Sequence, residues 1–369
     1  PQGIPDNQTV LNLPESPYDY ITIDIPDHLI NNVLQGPGQN AAVDNDNTPP
    51  DNMITNEGAT LGRVLFYDRQ LSANGTISCA SCHRQAQGFS DDRTLSVGFE
   101  GGLTGRHSMS LVNATWYDRG RFFWDERAQT LEEQVLMPFQ DEVEMGMTLE
   151  EVVAAVENQS FYPALFEDAF GTDEINSDRI SKALAQFIRA MVSVNSKYDE
   201  GRSSVNAPTE DFPNYTASEN NGKLIFFLPV ALDGGGCIGC HSTEAFINPD
   251  NGPTNNGLDA VSTEDLGVFG AIPNPAFLGA FKVPSLKSIE LTAPYMHDGR
   301  FETLEEVVEH YNSGVQDHEN LAAGLRDDNG DPIQLNLTQV EKTDLVNFLK
   351  TLTDESLAND VRFSNPFRR

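Results

Sequence analysis

The sequence predicts a mainly α chain built from two similar halves. Three observations carry this. Strand signals are few, whereas helical periodicity is strong. Two short runs, Cys79-Ala-Ser-Cys82-His83 and Cys237-Ile-Gly-Cys240-His241, use all four cysteines of the chain. A helix of one pattern follows each run: Leu184-Ala-Gln-Phe187-Ile188-Arg-Ala-Met191 and Leu345-Val-Asn-Phe348-Leu349-Lys-Thr-Leu352, both apolar at i, i+3, i+4 and i+7. These helices lie 161 positions apart and the cysteine runs 158 apart. Nearly equal offsets point to two copies of one unit.

The elements follow in order. Residues 1–50 are rich in Pro, Asn, Asp and Gly and read as an extended arm, with one short helix near Asp27–Leu34. A helix is predicted from about Asn56 to Asp68, and Asn74-Gly75 gives a turn before the first run. The second run has the same approach, a helix from about Ala217 to Leu228 and then Gly234-Gly235-Gly236. The stretch 199–216, with Pro208 and Pro213, reads as the linker. The expected division is an arm over 1–50, a first domain over 51–200 and a second over 201–369.

Each cysteine run is a C-x-x-C-H sequence, the attachment signature of haem c. Two thiols on one helical turn reach the two vinyl groups of a porphyrin. The histidine that follows places its imidazole under the iron. A zinc site would need the cysteine pairs to converge and gives no reason for the histidine to recur. Two covalently bound haem c groups are therefore expected, on His83 and His241. A terminal helix packed on the helix before the motif closes small cytochrome c domains in this way. The fold expectation becomes two cytochrome c-like haem domains with long loops and little strand.

Composition narrows the partners. The chain has 369 residues, enough for two cores, and no run of about 18 apolar residues, so no membrane span is expected. It carries 23 Lys and Arg against 56 Asp and Glu, a formal charge of −33. Nucleic acid and anionic membranes are disfavoured, because phosphate is repelled. The acids are spread along the chain, which fits a solvated surface suited to a salty habitat better than steering of one basic partner. The chain opens at Pro1 without a signal peptide. Haem c is attached outside the cytoplasm, so a periplasmic or otherwise exported protein that has lost its signal is expected.

A cytochrome that only transfers electrons closes both faces of each iron, usually with His/Met or His/His. Far-ligand candidates for the second haem lie in Ala293–Phe301. Thr303 and Glu306 form a capping box for the next helix. Its apolar stripe is Leu304, Val307, Val308 and Tyr311, with His310 off the stripe. A helix packed that way presents Tyr311 to the iron. On spacing alone, Tyr311 reads more simply as a core aromatic.

From about Leu61 to Leu352 the chain resembles the bacterial di-haem cytochrome c peroxidase and MauG family. Both haem motifs carry the likeness, with Phe123-Trp124-Asp125-Glu126-Arg127-Ala128, Leu131-Glu132-Glu133-Gln134, Pro138, Val143-Glu144-Met145-Gly146 and Pro294-Tyr295-Met296-His297-Asp298-Gly299. The resemblance implies site residues. Tyr311, 14 positions after His297, stands where the peroxidases carry Met and the MauG-like branch carries Tyr. A phenolate stabilises the higher oxidation states of iron, whereas a thioether favours the reduced state. Phe99 stands where many relatives close the first haem with a switchable His, so the first iron is expected to be open. His107 reads as a structural histidine and Met109 as a core residue. Glu144 becomes the acid–base group for peroxide, Gln134 a hydrogen-bonding partner, Pro138 a pocket-shaping residue and Trp124 the relay between haems. The resemblance also implies calcium between the haems, on the carbonyls of Thr292 and Pro294 and an Asn side chain. Here His107 holds the Asn position, which leaves calcium open.

Two functions from different classes follow. One is an exported di-haem enzyme that reduces hydrogen peroxide. Its electrons come from a small redox protein, a cytochrome c or cupredoxin, or from a residue of a protein substrate that is thereby modified. The other is a non-enzymatic electron-transfer cytochrome, which needs a sixth ligand on the first haem from His107 or Met109.

Overall fold

The computed structural model describes residues 10–31, 41–248 and 252–368. Two pairs of crossed helices organise it. In the first half, α1 (Asn56–Tyr67) packs across α2 (Ser177–Arg189). In the second, α3 (Ala217–Phe227) packs across the last long helix. Between them lies α4 (Leu304–Glu309), and that last helix is α5 (Gln339–Lys350). Among the described residues strand pairing is limited to isolated bridges.

Local chemistry sets these ends. Thr55 caps α1 and Asn176 caps α2, each through a side-chain oxygen. The pairs Thr216/Glu219, Thr303/Glu306 and Thr338/Glu341 form capping boxes at α3, α4 and α5. Each satisfies amide protons that the first helical turn leaves without partners.

The same small residue makes both crossings. Gly62 on α1 faces the Ala183 carbonyl, and Gly222 on α3 faces the Asp344 carbonyl; a Cβ at either site would overlap that carbonyl. The two glycines are 160 positions apart, close to the spacing of the haem motifs.

Two apolar cores result. The first gathers Leu61, Phe66, Leu184 and Phe187, and the second Phe226, Phe246, Phe348 and Leu352. Their membership departs from the expected divisions. Leu357, Phe363 and Phe367 belong to the first core although they lie within 201–369, and Tyr198 belongs to the second. The arm is tied down over its described residues. Asn12 donates to the Pro366 carbonyl, and Tyr20 packs edge-on against Phe187 and Phe363. The described parts of both chain ends thus strap the first domain, where Tyr20, Phe363 and Phe367 join its apolar core. The short arm helix spans Asp27–Ile30, and positions 32–34 lie outside the described residues.

Candidate active site

A cavity of about 950 Å³ opens between the halves. It is lined by Cys79, Cys82 and His83 of the first motif and by Trp124, Gln134, Pro138 and Glu144. Each comes from a short, locally fixed element. Cys79–Cys82 is one helical turn capped by Ser78 and Ser81. Gln134 ends a turn capped by Thr130, and Pro138 opens the next, Met137–Gln140. Asp141 Oδ1 accepts the amide protons of Val143 and Glu144 at 2.8 and 3.0 Å, which fixes the turn that carries the glutamate.

Burial sets the electrostatics. The carboxyl of Glu144, half-buried, is pushed up to about 7 by desolvation and by Asp141, against the pull of Arg127. Burial pushes the Cys79 thiol up to about 12 and Cys82 to about 11. Such thiols are neutral, unlike the thiolates of a metal or redox site. Among the described residues, no cluster of three or more His, Cys, Asp or Glu side chains is placed to hold a metal ion.

The two motif histidines are held alike. His83 donates from Nδ1 to the Phe89 carbonyl at 3.0 Å, and His241 to the Phe246 carbonyl at 3.3 Å. Phe89 and Phe246 have φ of 58° and 55°, an uncommon conformation for a residue with a side chain. With Nδ1 protonated, Nε2 keeps its lone pair for a metal. Burial lowers the basicity of both rings, His241 to about 4, so both stay neutral.

Other predicted residues take varied places. Phe99 packs its ring on Gly146 and does not line the cavity. Met109 lines the cavity half-buried, rather than lying in the core as its reading held, and its main chain lies beside His83. Trp124 donates from Nε1 to the His107 carbonyl at 2.8 Å and stands edge-on to the His297 ring at 6.5 Å between centroids. His297, a far-ligand candidate by position, stacks on Phe281 at 3.7 Å and lines the same cavity.

Tyr311 lies in a single π-turn, His310–Gly314, that continues α4. Desolvation pushes its phenol up to about 12, and the nearby Cys240 and Cys237 add to this, so it stands close to the second motif. His310 turns away to the Asn256 carbonyl at 3.1 Å. The amide nitrogen of Asn256 lies 3.4 Å from the Tyr311 oxygen and 3.6 Å from Met296 sulfur.

The family model described as di-haem cytochrome c peroxidase matches residues 56–204. The methylamine utilization protein MauG of Methylophilus methylotrophus is 33% identical over 311 residues, 84% of this chain and 86% of that one. The chain belongs to the di-haem cytochrome c peroxidase and MauG family. Cytochrome c551 peroxidase of Nitrosomonas europaea is likewise 33% identical, over 80% of each chain. A crystal structure of a MauG-like protein associated with microbial copper homeostasis superposes with a TM-score of 0.76 at 33% identity, covering 87% of this chain and 96% of that one. The diheme peroxidase BthA of Burkholderia thailandensis, at 21% identity and a TM-score of 0.63, shares the fold.

As a member of this family, the chain is a haem c oxidoreductase of the peroxidase type that acts on peroxide. Its residues fit that cofactor: each motif offers two neutral thiols and a neutral imidazole pinned by a carbonyl. No helix among the described residues is long and apolar enough to cross a membrane. The residues implied for calcium fit less well. Thr292 and Pro294 are buried, and Thr292 lies near His107, but calcium takes oxygen ligands and His107 offers an imidazole. Sequence reasoning missed Phe89, Phe246 and Asn256. The first two stood to be found by aligning the halves; Asn256 had no signal.

Proposed function

We propose that the chain reduces hydrogen peroxide in the cavity beside His83 and moves oxidising equivalents toward its second half by way of Trp124, with a protein as electron donor. When bound, haem c supplies the iron that splits peroxide and stores the oxidising equivalents. The chain supplies proton transfer, positioning and the electron path.

The observation that carries this is Glu144, in the same cavity as Cys79, Cys82 and His83 and with its carboxyl pushed up to about 7. A group of that strength takes a proton as a base and returns it as an acid near neutral pH. Gln134 offers an amide to hold peroxide or water, and Pro138 shapes the wall. Trp124 stands between the halves, where its ring relays an electron across a gap too long for direct transfer.

Tyr311 serves the second haem as far ligand. Its proton is held up to about 12, so only a strong Lewis acid such as ferric iron displaces it. The phenolate then donates charge and favours high oxidation states. A haem so ligated is a poor store of high-potential electrons. This favours a residue of a partner protein over a small cytochrome or cupredoxin as donor. Haem c is attached outside the cytoplasm, which supports a periplasmic or exported site for the reaction.

The electron-transfer alternative needs a sixth ligand on the first iron. The ring nitrogens of His107 lie within 3.1 Å of Ser90 Oγ and the Arg93 carbonyl, which disfavours that role for His107; Met109, the other candidate, lines the cavity, and the spin state of the first iron decides whether it ligates. Rapid mixing of unreduced protein with peroxide tests the proposal. A fast spectral change, whose decay is accelerated by the true donor among those compared, is expected. A protein inert to peroxide until it is reduced sinks it.

A further inference from the structure

We propose that His107 joins the two haem domains of this chain, its ring ordering the first-domain loop and its main chain reaching the second domain, and that no calcium ion is taken at that junction. The ring is buried, 4% exposed, and makes contacts on both edges. Nδ1 faces the Arg93 carbonyl at 3.0 Å and the Thr94 carbonyl at 3.3 Å. Carbonyls only accept, so Nδ1 carries a proton and donates to them. The other nitrogen, Nε2, lies 3.1 Å from Ser90 Oγ. The Thr292 carbonyl also acts on the ring.

The main chain of His107 extends this hub to both domains. Its amide donates to the His297 carbonyl at 2.8 Å, across the domain junction. Its carbonyl accepts the Trp124 indole proton at 2.8 Å. Ser90 follows Phe89, whose carbonyl fixes His83. The loop that carries His297 is pressed onto the same place: a Cβ at Gly299 would stand 3.0 Å from Thr94 Cα and carbonyl oxygen. One residue thereby links the proximal loop of the first haem, the Trp124 ring and the loop of the second domain.

A divalent ion would do this by collecting oxygens, six to eight of them at about 2.3–2.6 Å for calcium. Here an N–H group collects the Arg93 and Thr94 carbonyls, and the ring occupies the position of the expected oxygen ligand. The imidazole fills the space and offers no oxygen. The nearby carboxylate is also engaged, since Asp91 accepts from Ser96 Oγ at 2.6 Å and faces Arg84 at 3.6 Å. The inference stands apart from the peroxide chemistry, because it concerns how the domains are held.

The test uses the haem-loaded protein. It is purified from calcium-containing buffer, dialysed and analysed for calcium against haem iron. Its thermal midpoint and optical spectrum are recorded with EDTA and with added calcium chloride. Calcium well below one per chain, with both readouts unmoved, is expected. One tightly held calcium per chain, or a midpoint lowered by EDTA and restored by calcium, overturns the proposal. His107→Asn is the second arm. It is expected to lower the midpoint and to change the shift that reduction of one haem imposes on the potential of the other. A variant identical to wild type in both readouts also overturns the proposal. If the variant does not fold, the wild-type metal arm decides alone.

Discussion

His83 gives its Nδ1 proton to the carbonyl of Phe89, 3.0 Å away, and His241 repeats the arrangement with Phe246. Each acceptor residue has positive φ. The backbone holds that uncommon shape where it aims a carbonyl at a ring proposed to ligate haem iron. This fixes the tautomer and offsets part of the basicity that burial removes from the ring. The first of these rings opens onto a cavity that also holds Glu144, Gln134 and Trp124.

Glu144→Gln keeps the size of the side chain and removes its proton chemistry. The rate of reaction with peroxide should fall by roughly a hundredfold or more, the usual worth of positioned acid–base catalysis being about 10²–10⁴. Both haems should remain attached. Stopped-flow mixing reads the rate; an unchanged rate removes Glu144 from the mechanism.

The pH dependence has a definite sign. Burial raises this carboxyl from 4.5 to about 7. Below that value it is protonated and cannot accept a proton from peroxide; above it, it is ionised and can. The second-order rate constant should therefore rise as pH increases through about 7 and then level off. Glu144→Gln should lose that step while keeping any dependence that arises elsewhere.

Legibility in the sequence followed periodicity and motif. The helices α1 and α3 were readable to within a residue, because turn signals and apolar spacing are local, whereas the apolar segments read for α2 and α5 miss their polar first turns, which begin at Ser177 and Gln339. Glu144 was not readable from pattern, being one of 56 acidic residues. Only the family resemblance singled it out. Asn256 is 55 positions from Tyr311, and nothing local links them. The return of Phe363 and Phe367 to the first core was hidden for the same reason: tertiary packing decided it.

On the proposed ligation, Tyr311→Met exchanges an anionic donor for a neutral thioether. The second haem's reduction potential should rise, while the first haem should still react with peroxide. A potentiometric titration of both proteins checks this. An unshifted second haem would mean that Tyr311 is a core aromatic and not a ligand.

Gly222→Ala places a methyl group against the Asp344 carbonyl at the crossing of α3 and α5. Overpacking of this kind costs about 1–3 kcal/mol, and the clash here is with rigid backbone. A lowered thermal midpoint and reduced haem incorporation in the second domain are expected. Gly62→Ala should do the same to the first domain. Wild-type midpoints in both variants would show that the crossings have slack.

The proposed peroxide chemistry needs an open first iron, and low-temperature EPR of the oxidised, untreated protein reads that coordination. Phe99 packs on Gly146 and both edges of the His107 ring are in contact with other groups, which leaves Met109, in the cavity lining, as the side chain whose ligation this spectrum decides. One high-spin and one low-spin ferric signal in equal amounts are predicted. Two low-spin signals, with no high-spin component, would contradict the account and favour a cytochrome that only transfers electrons.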